Sequence, residues 1–162
     1  MKLGVLSDTH GCPSRTKAAI AVFRRAGVER IVHCGDIGSD AIVWLFEGLP
    51  VDFVLGNVDR YEAGPLRRAV AETGHTLHEG MGVLALAGRR IALLHGDDAR
   101  GLHAAVACGD FDLVCHGHTH VAANYRRGKT LVVNPGALYR TSQPSVAIVD
   151  LATLEVTPAP LD

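Results

Sequence analysis

Short apolar runs alternate along the chain with polar, helix-periodic stretches, and five of the runs stop at a pair of small or polar residues. Leu3 to Leu6 ends at Ser7-Asp8, Ile31 to Cys34 at Gly35-Asp36, and Phe53 to Leu55 at Gly56-Asn57. Ile91 to Leu94 ends at His95-Gly96 and Leu113 to Cys115 at His116-Gly117. Apolar runs this short, bounded by Gly, predict buried strands. Helices are predicted from Ser14 to about Arg25 with Gly27 as the stop, and from Ser39 or Asp40 through Glu47, closed by Gly48 and Pro50. Two more are predicted over Pro65 to Glu72 and Ala99 to Ala107. The section from Thr76 to Leu94 differs: "VLALAGRRIALL" reads as two strands joined through Gly88, a hairpin. Further strands are predicted at Ala122 to Tyr125, Leu131 to Val133, Val146 to Val149 and Glu155 to Thr157, with "RRGK" turning between the first two. The closing "PAPLD" is expected to fray.

The first third thus predicts parallel βαβ units, and the rest a mixed, strand-rich arrangement. Two packed sheets with helices outside would bury these runs. No repeat or linker interrupts the 162 residues, so a single domain over residues 1–162 is expected. With 48% hydrophobic and 20% charged residues, the composition is that of a soluble globular protein. A formal charge of −1 supplies no field to gather nucleic acid or an anionic membrane. The N-terminal apolar run is shorter than the roughly 7–15 residues of a leader, and no run approaches the about 20 residues of a membrane span. A cytoplasmic location is therefore expected. Cys12, Cys34, Cys108 and Cys115 form no CxxC pair and read as free thiols.

The candidate chemistry lies at the run ends. Function in α/β sheets gathers beyond the carboxyl ends of strands. If the five strands are parallel neighbours, Asp8, His10, Asp36, Asn57, His95, His118 and His120 meet in one pocket. Each fragment alone has a plain alternative: "DTH", "GD" and "GNVD" serve as turns, and "HG" can hold a satisfied buried histidine. "GHTH" is more telling, because histidines two apart on an extended segment point to one side. Five such fragments, each at a strand end, exceed what turn chemistry explains.

The order D-x-H, GD, GN-x-D, HG, GH-x-H resembles that of the calcineurin-like metallophosphoesterases. The later "NPG" at Asn134 to Gly136 is similar to the small bacterial and archaeal phosphodiesterase branch. The resemblance spans Asp8 to Gly136 and implies a four-layer α/β/β/α sandwich of two mixed sheets. It also implies two divalent metal ions, Mn²⁺ by family habit, with Fe, Zn, Ni or Co also suited to carboxylate and imidazole donors. Asp8, His10, Asp36 and His120 would hold one ion, and Asp36, Asn57, His95 and His118 the other. Asp36 would bridge, since two cations about 3.5–4 Å apart repel and a shared carboxylate offsets this. Asp36, His10 and Asn57 would be the residues nearest the chemistry. The implied reaction is hydrolysis of a small phosphodiester by a hydroxide bridging the metals, with no side-chain nucleophile. His116 is read as a structural or supporting residue, and Asp59 and Asp97 either as acceptors that orient ligand histidines or, equally, as helix-cap or turn residues.

Two positions depart from the family pattern. Many relatives have His where this chain has Val58, to donate a proton to the leaving oxygen or to steady the phosphate; the small phosphodiesterase branch often lacks it too, and easily departing aryloxides are expected to be favoured unless His10 or water substitutes. Relatives commonly have Ser where this chain has Ala137. A phosphomonoesterase or nucleotide hydrolase is one alternative. A metal-bound, non-catalytic interaction module of the same fold, like the retromer subunit, is another, although all seven ligand positions are filled here. Nucleic acid would enter only as a substrate, no membrane is implied, and relatives are often dimers or larger.

Overall fold

In a computed structural model that describes residues 1–161, the apolar runs become strands divided between two sheets. β1 (Lys2–Leu6), β2 (Arg30–His33), β3 (Val51–Val54) and β4 (Thr76–His78) run parallel in the larger sheet. β10 (Ser145–Asp150) and β11 (Glu155–Pro160) extend it antiparallel, giving the order β11-β10-β1-β2-β3-β4. The smaller sheet has the order β5-β6-β7-β9-β8, from β5 (Gly82–Leu86), β6 (Arg89–Leu93), β7 (Leu113–Cys115), β8 (Ala123–Arg127) and β9 (Thr130–Asn134). Within it β6, β7 and β9 are parallel.

Three apolar clusters define the layers. Leu3, Val5, Val32 and Cys34 of the larger sheet meet Ile91, Leu93, Leu113 and Cys115 of the smaller one, forming the core between sheets. The outer face of the larger sheet, with Leu6, Ile31 and Phe53, packs on α1 (Pro13–Ala26), α2 (Asp40–Val43) and α3 (Ala63–Thr73). The outer face of the smaller sheet, with Ala92, Val114 and Val132, packs on α4 (Ala99–Ala107). The result is the α/β/β/α sandwich. Cys34 and Cys115 are fully buried in its centre, where burial raises both thiols well above their usual range and keeps them protonated.

The five donor-bearing strands are not one run of parallel neighbours. Three lie in one sheet and two in the other, and the stacking of the sheets brings their carboxyl ends to one edge.

Several boundaries also shift. Pro13, not Ser14, opens α1, because its fixed φ suits the first helical position; Gly27 closes the helix in the left-handed conformation. Ser39 caps α2 by accepting from Ala41 N–H at 3.2 Å, but the helix tightens into a 3₁₀ turn at Trp44–Phe46. α3 starts at Ala63, two residues before Pro65, whose lack of an N–H is harmless in a first turn. The hairpin between β5 and β6 turns on Ala87 and Gly88, both at positive φ as a two-residue connection requires. Through Leu161 the tail is paired rather than frayed, and Asp162 lies outside the described residues: Pro158 and Pro160 belong to β11, an edge strand that tolerates them, and Leu161 N–H donates to Pro144 O at 2.8 Å.

Candidate metal centre

The loops after β1, β2, β3, β6 and β7 meet at this edge, and their backbones are held in unusual conformations. Asp8, His10, Asp36, His118 and His120 all have φ between 43° and 68°. They are five of the eight non-glycine residues at positive φ among the described residues. Each such residue costs about 1–3 kcal/mol, and strain of this kind clusters where a site demands it. A web of backbone bonds imposes it: Asp8 N–H donates to Gly35 O (3.0 Å), His10 N–H to Asp36 O (2.9 Å), and Gly117 N–H to His95 O (2.9 Å).

All seven candidate donors come together. Asp8, His10 and His120 form one group, and Asp8, Asp36 and His95 a second, with donor atoms in each group within 4.8 Å of one another. His120 Nε2 lies 3.2 Å from Asp8 Oδ1. His10 Nε2 lies 3.9 Å from that atom and 3.6 Å from Asp36 Oδ2. On the other side, His95 Nε2 stands 3.4 Å from Asp36 Oδ1 and 3.1 Å from Asn57 Oδ1. The His118 ring packs edge-on to His95 with centroids 5.1 Å apart. One carboxylate, Asp36, thus turns an oxygen toward each histidine set. Asp8 adjoins both groups, but its Oδ2 accepts from His118 N–H at 3.1 Å, leaving Oδ1 for the His10 and His120 side.

The chemistry of these atoms calls for a cation. His95 Nδ1 lies 2.7 Å from Cys34 O, and a carbonyl only accepts, so Nδ1 carries the proton. In the neutral ring Nε2 then presents a lone pair to Asp36 Oδ1 and Asn57 Oδ1, which are acceptors too. Only a proton or a metal ion satisfies three converging acceptors. The titration of His95 reflects this. Burial pushes it down, but Asp36 and the Cys34 carbonyl outweigh burial, and the net shift is upward. Asp8 Oδ1 and His10 Nε2 are buried with no hydrogen-bond partner, which is costly unless an ion meets them. Burial lowers His10 despite Asp36 and Asp8, so it presents a neutral ring. Burial opposes ionisation of Asp36, yet His95 and the Val58 N–H prevail and hold its carboxyl low.

Glycines make room for this crowding. A Cβ on Gly117 would collide with Ser7 Oγ and stand 2.7 Å from Asp8 Oδ2. A Cβ on Gly56 would collide with Asp36 Oδ1.

The supporting residues behave differently from expectation. Asp59 orients no histidine. Its carboxylate accepts from Ile37 N–H (3.0 Å), Gly38 N–H (2.8 Å) and Gly56 N–H (2.9 Å), fastening the Asp36 and Asn57 loops together. A carboxylate meets three amides more readily than it meets a ring already bonded to Cys34 O. Asp97 also orients no histidine: it forms a two-pronged pair with Arg60 at 2.7 and 3.0 Å. His116 is buried, with Nδ1 3.5 Å from Asn134 Nδ2, and Asn134 in turn donates to Gly117 O at 3.0 Å. Ala137 is fully buried.

Sequence reasoning missed Thr9 and gave His33 no partner. Gly35 N–H donates to His33 Nδ1 at 3.2 Å, so His33 Nε2 carries the proton and donates to Thr9 Oγ1 at 3.0 Å; Thr9 donates onward to Ile37 O at 2.9 Å. The only available signal was the hydroxyl between Asp8 and His10.

The calcineurin-like phosphoesterase superfamily domain matches residues 1–154. A phosphodiesterase of Methanocaldococcus jannaschii is 30% identical over 155 residues, 93% of each chain. A solved archaeal phosphodiesterase superposes with a TM-score of 0.92 at 28% identity, covering 99% of this chain and 100% of its own. Two more distant structures share the fold: the phosphoesterase YfcE of E. coli (TM-score 0.69, 19% identity, 100% of both chains) and zinc-complexed Vps29 of Entamoeba histolytica (TM-score 0.66, 17% identity, 100% and 99%). The motif order, the layers and the convergent donors therefore have one source: the chain belongs to the calcineurin-like phosphoesterase superfamily.

Proposed function

We propose that the chain is a single-domain phosphodiesterase with a two-metal centre. Asp8, His10, Asp36 and His120 hold one divalent ion; Asp36, Asn57, His95 and His118 hold the other. The observation that carries this reading is Asp36, whose Oδ2 lies 3.6 Å from His10 Nε2 and whose Oδ1 lies 3.4 Å from His95 Nε2. Imidazole, amide and carboxylate donors suit Mn²⁺ and equally Fe, Zn, Ni or Co, and disfavour an all-oxygen Mg²⁺ site. Such ions, when bound, polarise phosphoryl oxygens and lower the pKa of water toward neutrality. The chain's own contribution is placement. Asp36 would serve both donor sets and Asp8 the His10 and His120 side, Cys34 O locks His95 in the ligating tautomer, and Asn57 would add a neutral donor. Val58 can neither give nor take a proton, so the leaving oxygen must depart without an imidazole acid. That favours activated diesters. A small phosphodiester is the substrate class of this reading, and the M. jannaschii relative is named a phosphodiesterase.

The test is metal analysis of purified protein together with turnover of bis(p-nitrophenyl) phosphate and p-nitrophenyl phosphate across added metals. Diester activity that Asp36→Ala abolishes is expected. Preference for the monoester would replace this reading with a phosphomonoesterase, and stoichiometric metal without turnover with an interaction module.

A further inference from the structure

We infer that Arg140 is a substrate-binding residue whose guanidinium receives a nonbridging phosphate oxygen, supplying the cation that Val58 leaves out; this rests on the phosphodiesterase reading above. The segment before it is fixed to the site. Tyr139 N–H donates to Asp8 O at 3.1 Å, and Arg15 donates to Leu138 O at 2.8 Å, so the chain reaches residue 140 from a held position beside the Asp8 loop. The Tyr139 ring leans on His10, with centroids 5.9 Å apart. The Arg140 guanidinium lies over that same ring, 5.8 Å from its centroid. The stack His10, Tyr139, Arg140 therefore links one candidate ligand through an aromatic ring to a cation.

Two further observations separate Arg140 from an ordinary surface arginine. Its φ is 53°, a left-handed conformation that a long side chain rarely adopts and that the site's own Asp and His residues share. Its charge is also uncommitted: no ion pair or side-chain hydrogen bond engages it among the described residues, whereas nearby Arg60 is bound to Asp97 and Arg15 to Leu138 O. An uncommitted planar cation suits a phosphate, whose oxygens it can meet two at a time.

The experiment compares the parent, Arg140→Ala and Arg140→Lys, each loaded with Mn²⁺ to equal metal content. Calorimetric titration with inorganic phosphate is measured beside kcat/KM on bis(p-nitrophenyl) phosphate. Losing charge-assisted hydrogen bonds should weaken phosphate binding and lower kcat/KM by about 10- to 100-fold in the Ala variant, with an unchanged melting temperature. Lys should recover part of both. Phosphate Kd and kcat/KM within twofold of the parent in Arg140→Ala overturn the inference, as does a loss accompanied by lower melting that Lys leaves uncorrected. A parent that neither hydrolyses the diester nor binds phosphate overturns the phosphodiesterase reading itself. If the parent hydrolyses the diester without measurable phosphate binding, kcat/KM alone decides.

Discussion

Gly56→Ala isolates the crowding around Asp36 with the smallest available change. Gly56 is not at positive φ, so alanine fits its backbone and only the added methyl matters. That methyl would collide with Asp36 Oδ1 and stand 2.8 Å from Asp36 Cγ. Carbon atoms pack at about 3.5 Å or more, so Cγ alone must retreat by about 0.7 Å, and Oδ1 and the Asp36 backbone nitrogen, which the methyl also meets, by more. It has little room, because Oδ1 accepts from Val58 N–H at 3.1 Å and Gly56 N–H is itself fastened to Asp59 at 2.9 Å. Overpacking of this kind costs about 1–3 kcal/mol, or about 2–12 °C of melting temperature for a chain of this size. A shift approaching 1 Å in a group that positions the reaction lowers kcat by about 100-fold. The assay is kcat/KM on bis(p-nitrophenyl) phosphate at saturating metal, with thermal melting alongside. Gly64→Ala is the control: it lies in α3 with nothing within 4 Å, and it should keep full activity with a gain of up to about 1 kcal/mol. A Gly56→Ala protein with parental kcat/KM would refute the claim that Asp36 is held in place by close packing.

Chelation should lower the melting temperature; an ion present at about 100 times its Kd contributes about 2.7 kcal/mol, and Asp36→Asn should respond far less. His33 gives a pH signature: burial, with His95 adding to it, pushes its imidazole down to about 3 from 6.5. The unfolded chain then binds the extra proton, so stability is complete above pH 6.5 and falls by up to about 1.4 kcal/mol per unit between pH 6.5 and 3. Urea midpoints across that range should have a shallower slope in His33→Gln, and parallel slopes would contradict the assignment. Across aryl diesters of graded leaving-group acidity, the rate should rise steeply with acidity, and Val58→His should flatten the dependence; a flat parental profile with chemistry rate-limiting would remove the role given to Val58.

The five donor-bearing strands were legible because each is buried on both faces toward its carboxyl end, so those apolar runs are uninterrupted and their ends conspicuous. The donors were legible for the same reason, as polar residues immediately past those ends. What connects the loops was not legible. Asp59 reads locally as one turn residue, yet it gathers amides from residues 37, 38 and 56, two segments that meet only after folding. Asp97 and Arg60 are 37 positions apart, and nothing along the chain announces their pairing. The division of the five strands between two sheets was also hidden, since parallel strands joined by long connections leave no local mark of which sheet they enter. Helix starts were missed by one or two residues: Pro13 opens α1 ahead of Ser14, and α3 begins at Ala63, ahead of the predicted Pro65.

The left-handed residues of the metal loops have a consequence for how this chain tolerates change. At Asp8, His10, Asp36, His118 and His120, glycine would adopt the observed backbone with less strain than the residue present. Truncation there would silence the centre while relaxing the fold. Compared without metal, glycine variants at these five sites should therefore melt as well as the parent or better, so metal-free thermal tolerance alone cannot identify the working enzyme in a mutant library. Selection for robustness, applied without a catalytic screen, would steer this protein away from its chemistry.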